Sequence, residues 1–202
     1  MNIFITGTDT DVGKTVVAAW ICKHTGASYW KPIQTGCEFD SDKATVARLS
    51  GTTNVLDEVY KLKAPLSPYD AANLEGIQID KAKLLDRVPD KTVIEGAGGI
   101  LVPIYESFLM MDLAKMTGSK VLIVARSKLG FLNHILLTAK ILEHENIPVI
   151  GIVLIGSTDD STIRTIEAFS KIKVLSVLPI AEDVCELIDQ TPLPGEIARV
   201  IQ

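Results

Sequence analysis

A chain of 202 residues, 47% apolar and 22% charged, has the composition of a folded globular protein and not of a disordered one. Its formal net charge of -5 and the lack of a clustered Lys/Arg face argue against nucleic acid or an anionic membrane as the main partner, while leaving small anions open. Cys22, Cys37 and Cys185 are odd in number and widely spaced without a C-x-x-C, so neither a disulfide framework nor a zinc site is suggested and a reducing cytoplasm fits best.

The chain enters an apolar run, Ile3-Phe4-Ile5, within two residues, without a basic and apolar leader, and no apolar run is long enough to span a membrane. The expectation is a mature protein that begins at Met1, with residues 1–202 forming one nucleotide-binding domain. After the first strand comes Gly7-Thr8-Asp9-Thr10-Asp11-Val12-Gly13-Lys14-Thr15, then the helical stretch Val16-Val17-Ala18-Ala19-Trp20-Ile21. Strand, glycine-bounded loop and helix opening on Lys-Thr make a phosphate cradle. The glycines allow a tight turn, exposed N–H groups and the positive helix end attract anionic oxygens, Lys14 reaches the terminal phosphates, and the Thr15 hydroxyl can ligate Mg²⁺. Five residues separate Gly7 from Gly13 where the standard expression has four. The first helix should run to about His24 and stop at Gly26.

A short strand at Ala27-Ser28-Tyr29-Trp30 leads into Lys31-Pro32-Ile33-Gln34-Thr35-Gly36, which sets Lys31 at the sheet edge where ligands gather. Either Ser41 or Asp42 caps a helix ending at Gly51, and the Asp42 carboxylate at that junction can equally hold a metal. Residues 52–76 are irregular, with Ser67-Pro68-Tyr69-Asp70-Ala71-Ala72 reading as a loop and short helix, a candidate for covering a substrate. Asp80 to Arg87 reads as another short helix. The strand Thr92-Val93-Ile94-Glu95 ends in an acid followed by a glycine-rich turn, Gly96-Ala97-Gly98-Gly99, the place where a nucleotide-binding sheet would hold the Mg²⁺ partner of Thr15; the alternative is a partly solvated acid beside a flexible turn. Helix at Asp112 to Met116, a buried strand at Val121 to Ala125, helix at Ile135 to Glu145, strand at Val149 to Ile155, helix at Ser161 to Ser170, strand at Val174 to Leu178 and helix at Leu193 to Ile201 follow. His134 has no nucleophile or acid in triad-like relation and reads as structural. Alternating helices and buried strands give an α/β fold of the P-loop kind, a mostly parallel sheet with helices on both faces.

Taken together, these motifs resemble dethiobiotin synthetase along nearly the whole chain. The resemblance rests on the long-spaced loop Gly7 to Thr15, Lys31-Pro32 with Thr35-Gly36, Ser41-Asp42, Glu95-Gly96-Ala97-Gly98-Gly99, and Lys128-Leu129-Gly130 with Asn133-His134. It implies a homodimeric, cytoplasmic, ATP- and Mg²⁺-dependent cyclo-ligase that joins CO₂ to 7,8-diaminononanoate and closes a ureido ring. It further implies Lys14 and Lys31 as catalytic cations and Thr15, Asp42 and Glu95 as Mg²⁺ ligands. Nucleotide contacts are expected from Asp11, Val12, Gly13, Lys14, Thr15, Val16, Glu95, Gly96, Ala97, Gly98 and Pro179. The diamine site is expected to draw on Thr10, Asp11 and Thr35, with Gly130, Phe131, Leu132 and Asn133 of the partner subunit reaching the substrate carboxylate.

Asp11 and Thr35 stand where the family carries Glu and Ser, mild changes. A larger departure is Ile155-Gly156, where family members commonly end a strand on an Asn able to read adenine, so other nucleoside triphosphates are expected to serve beside ATP. Two alternatives share the fold. A chromosome-partitioning ATPase switch would carry a lysine near the start of the loop, where this chain has Thr8, and an amidoligase acting on a corrin acid would need a glutaminase-like portion for which there is no room.

Overall fold

Runs such as Ile3-Phe4-Ile5 and Val121 to Ala125 have no polar side to offer water, so they are stable only as strands covered on both faces. In the computed structural model, which describes residues 1–37, 41–86 and 88–201, that is where they lie. The first half of the chain comprises β1 (Ile3–Gly7), α1 (Lys14–Thr25), β2 (Ser28–Trp30), β3 (Ile33–Thr35), α2 (Asp42–Ser50), β4 (Tyr60–Leu62), α3 (Pro68–Glu75), α4 (Lys81–Leu85) and β5 (Thr92–Gly99). The second half comprises β6 (Pro103–Tyr105), β7 (Phe108–Leu109), α5 (Met110–Met116), β8 (Lys120–Arg126), α6 (Phe131–His144), β9 (Val149–Ile155), α7 (Asp160–Ser170), β10 (Val174–Leu178), α8 (Val184–Gln190) and α9 (Gly195–Ile201).

The main sheet has the order β10-β9-β8-β1-β5-β2, with every pair parallel. β1, the strand that feeds the glycine loop, lies between β8 and β5, so the loop emerges from the middle of the sheet. Side chains alternate across the sheet: Ile3, Ile5, Tyr29 and Val93 pack with α1 residues Val17 and Ile21, whereas Phe4, Trp30 and Ile94 pack on the opposite side with Leu113 and Ile135. The last turns of the chain lock onto α1 through Trp20 Nε1, which donates to the Thr191 carbonyl at 2.8 Å. Among the described residues, no helix is long and apolar enough to cross a membrane.

Several local expectations are corrected. The glycines after Glu95 belong to β5, which runs on to Gly99 where it meets Gly7 of β1, but the register with β1 shifts between Glu95 and Gly99 and Gly98 is left-handed at φ 67, so the strand is irregular there. Gly96 serves close packing there: a Cβ at that position would lie 2.9 Å from the Phe4 ring. The helix expected from Ile135 starts at Phe131, with Gly130 at φ 92 as its N-cap, so the segment from Phe131 to Asn133 is the first turn of α6. β3 pairs with β4, β6 pairs with β7, and α8 precedes the expected closing helix α9; β3, β4, β6, β7 and α8 are short elements with too little periodicity to signal themselves in the sequence. The expected helix from Asp80 to Arg87 is α4, capped by the Asp80 side chain on the Ala82 N–H; Arg87 itself lies outside the described residues. The cap of α2 is Ser41 by position, and Asp42 is its first helical residue.

Candidate active site

The loop after β1 turns through two left-handed residues, Asp11 at φ 53 and Gly13 at φ 97, and delivers Lys14 and Thr15 as the first two residues of α1. No side chain caps this helix, which leaves its leading N–H groups facing the loop's concave side, an arrangement that attracts anions. Lys14 is buried and its Nζ donates to the Asp9 carbonyl at 3.3 Å, closing the loop over itself. Outside the loop, Asp9 pairs with Lys128 at 3.0 Å, which ties the loop to the segment after β8.

Beneath the loop, Lys31 after β2, Glu95 of β5 and Asp42 at the start of α2 come together, at the edge of the parallel sheet where ligands gather. The Thr15 hydroxyl lies 2.8 Å from Asp42 Oδ1 and 3.1 Å from Glu95 Oε1. Lys31, buried just beyond β2, pairs its ammonium with Asp42 Oδ2 and, at 3.3 Å, with Glu95 Oε1. Two groups missed in the sequence complete the cluster: the Tyr29 hydroxyl donates to Glu95 Oε2 at 2.9 Å, and Gln34 Oε1 accepts from the Asp42 N–H at 3.4 Å.

Burial and charge pull these groups in opposite directions. Burial works against the Lys31 ammonium, but Glu95 and then Asp42 outweigh it and hold its pKa above the ordinary lysine value. Burial likewise works against the Asp42 carboxylate, and Lys31 more than reverses this, so its pKa falls. Lys14 has weaker compensation: burial lowers its pKa despite the opposing field of Glu95. The result is a water-poor nest in which two lysines can meet developing negative charge. The hydroxyl of Thr15 with the carboxylates of Asp42 and Glu95 is an all-oxygen donor set that suits a small, hard divalent cation.

A cleft of about 790 Å³ opens over this nest. Of the residues singled out in the sequence, Thr10, Asp11, Gly13, Lys14, Thr15, Val16, Lys31, Thr35, Asp42, Glu95, Ala97 and Gly98 line it. So do Pro65 to Pro68 of the irregular excursion. A second cleft of about 800 Å³, mostly apolar, lies on the far side of Thr10 and Gly98, which border both, and is walled by Ile100, Leu101, Val102, Leu137 and Ile141. Val12 is buried behind the loop and Gly96 lies within β5. Gly130, Phe131, Leu132, Asn133 and Pro179 line neither cleft within this chain. At the end of β9 the Ile155 side chain packs against the loop, since a Cβ on Gly13 would sit 2.9 Å from Ile155 Cγ1.

A family model described as an AAA domain matches residues 1–186. An ATP-dependent dethiobiotin synthetase of Paramagnetospirillum magneticum is 44% identical over 87% of the chain and 86% of its own length. One from Agrobacterium fabrum is 43% identical over 89% of the chain and 86% of its own length. Among solved structures, a ParA family ATPase from Chlorobium tepidum superposes with a TM-score of 0.53 over 98% of the chain and 96% of its own, at 12% identity, a likeness of fold alone.

Proposed function

Because this chain belongs to the family of ATP-dependent dethiobiotin synthetases, we propose that it joins CO₂ to 7,8-diaminononanoate and closes the ureido ring of dethiobiotin, converting ATP to ADP and phosphate in biotin synthesis. The observation that carries this reading is the buried Lys31, held between Asp42 and Glu95 beside Thr15 at the mouth of the glycine loop. One amine of the diamine captures CO₂ as a carbamate. A carbamate oxygen attacks the γ-phosphorus, ADP leaves, and the second amine then attacks the carbonyl carbon of the mixed anhydride and expels phosphate. Charge builds on oxygen at each step, and no protein nucleophile is needed.

In this scheme Lys14 binds the phosphates of ATP, and Lys31 stands toward both the carbamate and the transferring phosphoryl group. Thr15, Asp42 and Glu95 would hold Mg²⁺, which supplies charge neutralisation of the phosphates. Thr10, Asp11 and Thr35 take the amine end of the diamine, with Asp11 a suitable neighbour for an ammonium. The apolar cleft beyond Thr10 and Gly98 suits the aliphatic chain of the same substrate. Gly130 to Asn133, at the exposed start of α6 and outside both clefts of their own chain, suit a role across a homodimer, where they would reach the substrate carboxylate of the partner. Asp11 to Val16, Glu95 to Gly98 and Pro179 complete the nucleotide site, and residues 1–202 act as one domain in the cytoplasm. The partitioning-switch reading is not favoured, since the resemblance to those ATPases is confined to the fold.

Incubation with ATP, bicarbonate and the diamine, followed by mass spectrometry, tests the reading. Dethiobiotin is expected in equal amount to the ADP formed; ADP without a ureido product would contradict it.

A further inference from the structure

The Glu95 side chain is 1% exposed, and each of its two oxygens has a different kind of partner. Oε1 faces Thr15 and Lys31, the groups at the cleft, whereas Oε2 faces away and accepts the Tyr29 hydroxyl at 2.9 Å. Tyr29 of β2 and Lys31, the residue just after that strand, are two positions apart on one short stretch, which delivers a phenol and an ammonium to the two oxygens of one carboxylate. Trp30 between them points to the other face and donates to the Asp57 carbonyl.

Tyr29 is itself held firmly. It pairs with Val93 of β5, its N–H donates to the Asn54 carbonyl at 2.8 Å, and its carbonyl accepts the Leu56 N–H at 2.8 Å. Its ring is fully buried against α1. Without that hydroxyl, Oε2 would lose its hydrogen-bond donor in a buried place, and nothing on that side would hold the carboxylate against rotation.

We infer that Tyr29 is a positioning residue: its hydroxyl fixes the rotation of the Glu95 carboxylate so that Oε1 alone is presented, beside Thr15 and Asp42, to a divalent cation. The inference rests on the cation role proposed for those three oxygens but not on the identity of the organic substrate. Partners of this kind, behind a ligating group, set metal affinity by tenfold to a hundredfold.

Tyr29→Phe removes one oxygen and keeps the ring. Binding of Mn²⁺ to the protein in the presence of ADP, followed by electron paramagnetic resonance, requires no turnover and no diamine. The expected result is a tenfold to hundredfold weaker Mn²⁺ affinity, with ADP affinity in chelator unchanged and the KM for the diamine unmoved. Mn²⁺ affinity within twofold of wild type would overturn the inference whatever happens to thermal stability. A Tyr29→Phe protein that fails to fold would overturn it as well, because the bond would then serve stability. If Mn²⁺ binds neither protein, the cation role itself fails, while an undetected ureido product with the expected Mn²⁺ effect would fault only the substrate assignment.

Discussion

Lys31 carries a full positive charge in a place that solvent scarcely reaches, and two carboxylates keep it there. Such a cation needs no reorganisation when charge develops on a carbamate or phosphoryl oxygen, which is where electrostatic catalysis has most effect. Lys31→Gln should therefore lower kcat about 100-fold, or about 2.7 kcal/mol of transition-state stabilisation, with circular dichroism reporting an intact fold. Near-normal turnover by a folded Lys31→Gln protein would remove it from the chemistry. The nucleotide base presents the contrary case, since the end of β9 carries the aliphatic Ile155 and not an amide. With Ile155 packed on Gly13 at the end of β9, phosphate contacts should dominate binding, and kcat/KM for GTP and CTP should lie within about tenfold of that for ATP. A hundredfold preference for ATP would mean that another group reads the base. Lys14, Lys31 and Glu95 were legible in the sequence because each adjoins a glycine or proline beside a strand or helix start, Thr15 because it follows Gly-Lys, and Asp42 because it stands at a helix start. Tyr29 and Gln34 were not, since a residue that acts by touching another residue's far oxygen leaves no local pattern.

Among the elements, β5 carries the most constraint, being paired on both edges and ending in four residues of which three are glycine. Read in isolation, Gly96 to Gly99 has the composition of a turn; pairing with β1 and close packing on Phe4 are tertiary demands that composition cannot display. Gly96→Ala places a methyl 2.9 Å from the Phe4 ring and 3.3 Å from the Ile5 carbonyl. Since neither the buried ring nor the central strand can yield freely, the substitution should destabilise by about 1–3 kcal/mol, seen as a lower Tm. An unchanged Tm would show that β1 and β5 are looser than described. The start of α6 is the second lesson: Gly130 in a left-handed conformation permits a helix without a polar cap, so Phe131 to Asn133 carried no starting signal, and the helix was placed four residues late. The long central strands, by contrast, were recognisable from unbroken apolar runs alone, because strands covered on both faces have nothing polar to expose.

For the molecule as a whole, the two clefts meet at Thr10 and Gly98, and α6 contributes Leu137, Thr138, Lys140 and Ile141 to the apolar one. The start of the same helix remains outside, which supports a site completed across two copies of the chain. An inactive Lys14→Gln protein mixed with an inactive Asn133→Ala protein should then recover activity, because one of the two sites in a mixed dimer has both residues intact. No recovery despite proven subunit exchange would confine the site to one chain. The order of bond making is the central claim, and it separates a ligase from an ATPase that merely shares the fold. In a single turnover with ¹⁸O-labelled bicarbonate, ATP and the diamine, the account predicts phosphate carrying one labelled oxygen and a labelled ureido carbonyl, since a carbamate oxygen attacks phosphorus. Unlabelled phosphate would mean that water attacks instead, and would contradict the account.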